Sequence, residues 1–183
     1  MANAQFDFGF EPVEHLCGGQ IRTREYILTT GATAYRGDVM LLVAAGTVTP
    51  STSASTVPVG ICAEYMDDSA SAGGKKVLVY DDPNLIFKAN IRDSTVTTEI
   101  AAADIGQNLV LTPTAGTAAS KPNSKMLLDA NGHNTTYSLL FKLIGKLDQP
   151  DNAWGKNCKV LVIFNNHMYK NGATALTGVN VGI

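Results

Sequence analysis

Charge is scarce in this chain. Only 16% of its 183 residues are Asp, Glu, Lys or Arg, 16 acidic against 14 basic, for a net charge of -2. Soluble domains usually carry about 25%. Proteins that hold nucleic acid by counterion release need a clustered basic face, and here the few Lys and Arg are scattered, so no nucleic-acid partner is expected. Long apolar runs are also missing. None approaches the ~18 residues of a helical span, so no membrane partner is expected either. The opening Met1-Ala2-Asn3-Ala4-Gln5-Phe6-Asp7 has neither the basic nor the apolar region of a signal peptide, which points to synthesis in the cytoplasm. Cysteine is limited to Cys17, Cys62 and Cys158, with no C-x-x-C spacing, and the expectation is three buried, inert thiols in a reducing compartment.

What the chain has in plenty is alternation. Leu85, Phe87, Ala89 and Ile91 alternate with Lys88, Asn90 and Arg92, the pattern of a strand with one wet face. Tyr137, Leu139, Phe141, Leu143 and Leu147 repeat it, with Lys142, Lys146 and Asp148 opposite. Val160 to Phe164 is apolar on both faces, which predicts a central or inter-sheet strand. Val39–Val43 and Val77–Tyr80 are shorter runs of the same kind. Asp81-Asp82-Pro83-Asn84 reads as a hairpin turn, and Asn131-Gly132 and Asn171-Gly172 as further turns. Polar connections fall at 47–56, 67–74 and 112–122. Only Thr97–Ile105 looks helical, for one or two turns. The fold class predicted is all-β, a mainly antiparallel β-barrel or β-sandwich with one short helix and an extended N-terminal arm. The division is 1–20 as that arm, 21–170 as a single β-rich domain and 171–183 as a flexible C-terminal tail.

Candidate chemistry is thin. His15 and Cys17 would share a strand face and could form a nucleophile pair, although a turn into Gly18-Gly19 explains them as well. His15, His133, His167 and the cysteines lack the paired spacing of a zinc site, so no metal or cofactor is implied. Asp67-Asp68 and Asp81-Asp82 are adjacent carboxylates, which point to opposite faces of a strand and read as turn residues. Gly73-Gly74-Lys75-Lys76 runs into a strand rather than a helix, unlike a phosphate loop. Arg36-Gly37-Asp38 reads as a turn before the strand from Val39. The sharpest feature is the arm, where Phe6, Phe8 and Phe10 alternate with Asp7 and Gly9. Such a stripe is either an ordinary core strand or an interface, with the terminus added to a neighbour's sheet. Burying each Phe is worth ~1.5–3 kcal/mol in either case.

Taken in order, several segments resemble the capsid decoration (cement) proteins of tailed bacteriophages. They are Tyr35-Arg36-Gly37-Asp38-Val39, Val57-Pro58-Val59-Gly60-Ile61, Val77 to Pro83 running on to Phe87, Ala102-Ala103-Asp104-Ile105-Gly106, Pro150-Asp151-Asn152 and Val162 to His167. The resemblance spans roughly Ile21 to Lys170. It implies a non-enzymatic, β-rich homo-oligomer, often a trimer, on the outer surface of the expanded phage head. There it would clamp neighbouring copies of the major capsid protein, and no catalytic residue is implied. Two other readings stand beside it. One is a tail, neck or fibre-associated β module that binds carbohydrate. The other is a small β enzyme with a site assembled from His15, Cys17 and His167, which spacing alone does not exclude.

Overall fold

The computed structural model describes residues 3, 8–70, 73–92, 99–117 and 123–170. Phe6 and residues 171–183, the predicted tail, lie outside the described residues. In chain order the strands are β1 (Glu11–His15), β2 (Arg24–Ile27), β3 (Thr33–Ala34), β4 (Val39–Leu42), β5 (Val48–Pro50), β6 (Gly60–Cys62) and β7 (Met66–Asp67). They continue with β8 (Lys76–Tyr80), β9 (Leu85–Asn90), β10 (Asn108–Thr112), β11 (Leu127–Asn134), β12 (Phe141–Lys146) and β13 (Lys159–Phe164). Residues 97 and 98 of the predicted helix lie outside the described residues, and the rest of it holds one 3-10 turn, Ala102–Asp104, its Asp104 carboxylate accepting the Ala101 N–H at 2.8 Å. The chain is all-β, as expected.

Two antiparallel sheets carry the fold. The larger runs β1-β9-β13-β12-β10-β11, the smaller β2-β8-β6-β4-β5, and β3 pairs with β7 apart from both. Each sheet is rolled without closing into a barrel. In the larger, a lone parallel bridge between Ile91 and Leu128 brings β11 back to the end of β9. In the smaller, a lone parallel bridge between Leu28 and Val48 brings the end of β2 back to β5.

Period-two patterning builds both cores. Leu85, Phe87 and Ala89 of β9 meet Val160, Val162 and Phe164 of β13, Phe141 and Leu143 of β12, and Leu109 and Leu111 of β10 inside the larger roll. The strand apolar on both faces, β13, sits centrally between β9 and β12. Leu28, Met40, Val48, Val59, Cys62, Val77 and Val79 fill the smaller roll. Two strands belong to both cores. Val39 and Ile61 turn toward the larger, while their neighbours Met40 and Cys62 turn toward the smaller. That double burial is why Val39 to Leu42 shows no polar face.

Two expectations need correction. Asp81 to Asn84 does turn the chain, with the Asp82 carboxylate accepting the Asn84 N–H at 2.8 Å. It does not close a hairpin, because β8 belongs to the smaller sheet and β9 to the larger. It is the crossover between the two rolls. The second correction concerns the arm. Residues 11–15 form β1, an edge strand paired antiparallel with β9, so this stretch is part of the domain. Phe10 is fully buried in the larger core and stacks on Phe141, with ring centres 4.4 Å apart. Asn3 is also tied back, its Nδ2 donating to the carbonyls of Ala153 at 2.8 Å and Lys156 at 2.9 Å. Between Phe8 and Phe10, Gly9 takes a φ of 64°, which breaks the extended alternation there.

The N-terminal segment is locked by backbone packing. The Phe10 N–H donates to the Gly37 carbonyl at 3.0 Å. Gly37 has a φ of 90°, and a Cβ there would lie 2.5 Å from the Phe8 carbonyl oxygen. Only glycine tolerates both the conformation and the approach. This accounts for the Arg36-Gly37-Asp38 turn as a piece of framework.

Candidate functional site

The predicted interface residues separate. Phe10 is core, and Phe8 is half-buried with the Lys88 ammonium 5.4 Å from its ring centre. Phe10 is therefore not free to anchor a neighbour, since removing it would open the larger core. Among the described residues near this end, the large apolar side chains left in water are Val13, Leu16 and Ile21, at 41%, 55% and 40% exposure. Val13 sits at the irregularity between Pro12 and Glu14 where β1 slips its register against β9. Proline and a bulge on an edge strand discourage indiscriminate sheet-to-sheet pairing.

The cysteines and histidines occupy different settings. Burial pushes the Cys62 thiol up to about 12 and the Cys158 thiol up to about 11, so both are unreactive. Cys17 departs from the expectation of three buried thiols, being exposed in the loop after β1. His15 is oriented like a catalytic base but engaged at both nitrogens. Its Nδ1 accepts the Cys17 backbone N–H at 3.1 Å, and its Nε2 faces Asp82 Oδ2 at 3.0 Å. In that tautomer the ring offers no lone pair to the Cys17 sulfur. His133 is held between the Ala130 carbonyl and the Asp104 carboxylate, tying β11 to the 3-10 turn. His167 is buried, packs edge-on against Phe164 at 4.7 Å, and accepts the Tyr169 N–H on Nδ1 at 3.1 Å. Burial pushes its pKa down to about 4, and the Val59 carbonyl and the nearby Asp81 and Asp82 offset only part of this. Among the described residues no group of three or more His, Cys, Asp or Glu side chains could hold a metal ion, and no helix is long and apolar enough to cross a membrane.

Residues distant in sequence do come together around the crossover. A cleft of about 560 Å³ opens between the approach to β2 and the β8–β9 crossover, lined by Arg22, Thr23, Arg24, Asp81, Asp82 and Tyr169 among others. Asp81 organises it. Its Oδ2 accepts the Tyr26 hydroxyl at 2.7 Å and lies 3.1 Å from Arg24 Nε. The Tyr26 and Tyr169 hydroxyls are 3.0 Å apart. Burial and its acidic and phenolic neighbours push the Tyr26 phenol far above its ordinary range, so it stays protonated. In the sequence the Asp81-Asp82 pair reads only as turn chemistry. The available signal is Arg22 and Arg24, two apart at the entry to a strand.

Trp154 packs against the larger core and is no exposed platform. Comparison of the chain with protein-family models, curated proteins and solved structures finds no match.

Proposed function

We propose that this chain is a structural virion protein that binds the outer surface of a tailed-phage head and stabilises the shell by bridging major capsid protein subunits. It acts as a homotrimer and is not an enzyme. The observation that carries this reading is where the familiar segments fall. Tyr35 to Val39 forms the Gly37 turn and enters β4, Val57 to Ile61 enters β6, Val77 to Pro83 is β8 with the crossover, and Val162 to His167 ends β13. The first three are framework pieces at the junction of the two rolls, and the last lies in the larger sheet; none is a reactive constellation. The low charge and the solvent-exposed side chains of Val13, Leu16 and Ile21 support the reading, as they leave apolar surface for contact with the shell. Three such faces in a trimer multiply modest contacts through effective concentration.

The test is binding of the purified chain to expanded heads and to compact procapsids. Strong binding to the expanded form alone is expected, and equal binding to both counts against the proposal. A Leu16→Asp/Ile21→Asp variant that folds normally should lose most of that binding. Copy number per virion separates this reading from a tail, neck or fibre module, which would be present in far fewer copies than the shell protein.

A further inference from the structure

We infer that the cleft between the approach to β2 and the β8–β9 crossover is a binding site for neutral oligosaccharides. Its lining places two guanidinium groups, Arg22 and Arg24, beside two carboxylates, Asp81 and Asp82, with the Thr23 hydroxyl and the Tyr169 ring. The formal charges cancel. A ligand with net charge would be opposed by half of the charged lining, whereas each sugar hydroxyl can donate to a carboxylate and accept from a guanidinium. Tyr169, 47% exposed, offers an aromatic surface for the apolar side of a pyranose. The volume lies within the range of small-ligand sites.

The site is also organised before any ligand arrives. Asp81 is held by Tyr26 and Arg24 through one oxygen, and its Oδ1 has no hydrogen bond among the described residues. Asp82 is fixed by the Asn84 N–H and His15. Arg24 spends Nε on Asp81 and lies 5.8 Å from the Tyr169 ring centre, and its side chain remains 65% exposed. Arg22 forms no ion pair among the described residues. A guanidinium carries five donors, so most of this capacity is left over. Asp81, Asp82 and Arg24, held in place by their own neighbours, lose little freedom on binding, whereas Arg22 is ordered by the ligand. The inference does not depend on which part of a virion carries the chain.

The experiment is a titration of the isotope-labelled full chain, followed by backbone amide resonances. The probes are maltotetraose, galactotetraose, mannotetraose and chitotetraose, with oligogalacturonate and inorganic polyphosphate as charged competitors. At least one neutral sugar should give saturable shifts centred on Thr23, Arg24 and Asp82. Arg22→Ala and Tyr169→Ala, each with an unchanged spectrum away from the cleft, should weaken binding by roughly tenfold. Tyr137→Ala, outside the cleft, should bind like the parent chain. Absence of saturable shifts with all four sugars overturns the inference. So do shifts centred elsewhere, unaltered binding in both cleft variants, or tighter binding of either charged competitor.

Discussion

The larger roll is filled by Phe10, Phe87, Phe141 and Phe164, whose rings touch in sequence at 4.4 to 5.3 Å, whereas the smaller roll is filled mainly by Val, with Leu28, Met40 and Cys62, and buries no ring completely. Both sheets curl back on themselves through one parallel bridge, so the difference lies in what they enclose. A wide roll needs large side chains to avoid voids, and each ring brings more buried area than a valine. Stability is therefore concentrated in the larger roll. The smaller one depends on its shared wall, where Val39 and Ile61 face the larger core and the Val39 N–H reaches the Met126 sulfur at 3.2 Å.

The largest effect expected is from Phe141→Ala, which removes the ring between Phe10 and Phe164. It should lower stability by about 3–5 kcal/mol, measured by denaturant unfolding. Loss of structure should be global, with β8 and β6 melting alongside β12.

The wall between the rolls holds two buried titratable groups with opposed signs. His167 has its pKa depressed from 6.5 to about 4, so the unfolded chain takes up the proton first. Its contribution is complete above pH about 6.5 and is lost as pH falls toward about 4. Burial raises Asp38 from 3.8 to about 6, so the folded chain keeps its proton longer. Its contribution is complete below pH about 4 and is lost as pH rises through about 6. Each is worth about 3 kcal/mol at most, and between these limits the two slopes oppose. Asp38→Asn should make stability climb more steeply with pH over that window. His167→Gln should leave a decline instead, and parallel curves for both variants would sink this assignment.

Gly37→Ala comes next, at about 1–3 kcal/mol, because the added carbon meets the Phe8 carbonyl at a left-handed backbone position. Hydrogen exchange should show β1 loosening from β9 before either roll opens. The smallest effect is expected in the smaller roll. Val79→Ala should cost about 1.5 kcal/mol, and exchange should rise in β2, β6 and β8 alone. A loss equal to that of Phe141→Ala would erase the contrast between the rolls.

Much of this fold was legible in the sequence. The odd positions from Leu85 to Ile91 all enter the larger core, and the run Val39–Val43, apolar on both faces, contains β4. What was misread is non-local. The turn at Asp81 to Asn84 is chemically a turn whichever sheet receives the next strand, so local residues could not distinguish a hairpin from a crossover. The alternation places Tyr137 in a strand, but β12 begins at Phe141 and Tyr137 stands exposed in the preceding turn. The Phe6, Phe8 and Phe10 stripe requires an extended Gly9, whereas Gly9 packs so closely on the distant Gly37 carbonyl and Ser124 side chain that a Cβ there would lie within 2.5 Å of both. The cleft was invisible for the same reason. Arg24, Asp81 and Tyr169 are far apart in sequence and meet only where β2, the crossover and the segment after β13 converge.

The reading of this chain as a shell-bridging virion component is tested most directly by its copy number in purified virions, measured by quantitative mass spectrometry against the major shell protein. A ratio of one, or a simple fraction set by a trimer at repeated positions on the shell, is the predicted result. A trace ratio typical of tail or neck parts, or complete absence from the virion, would contradict it.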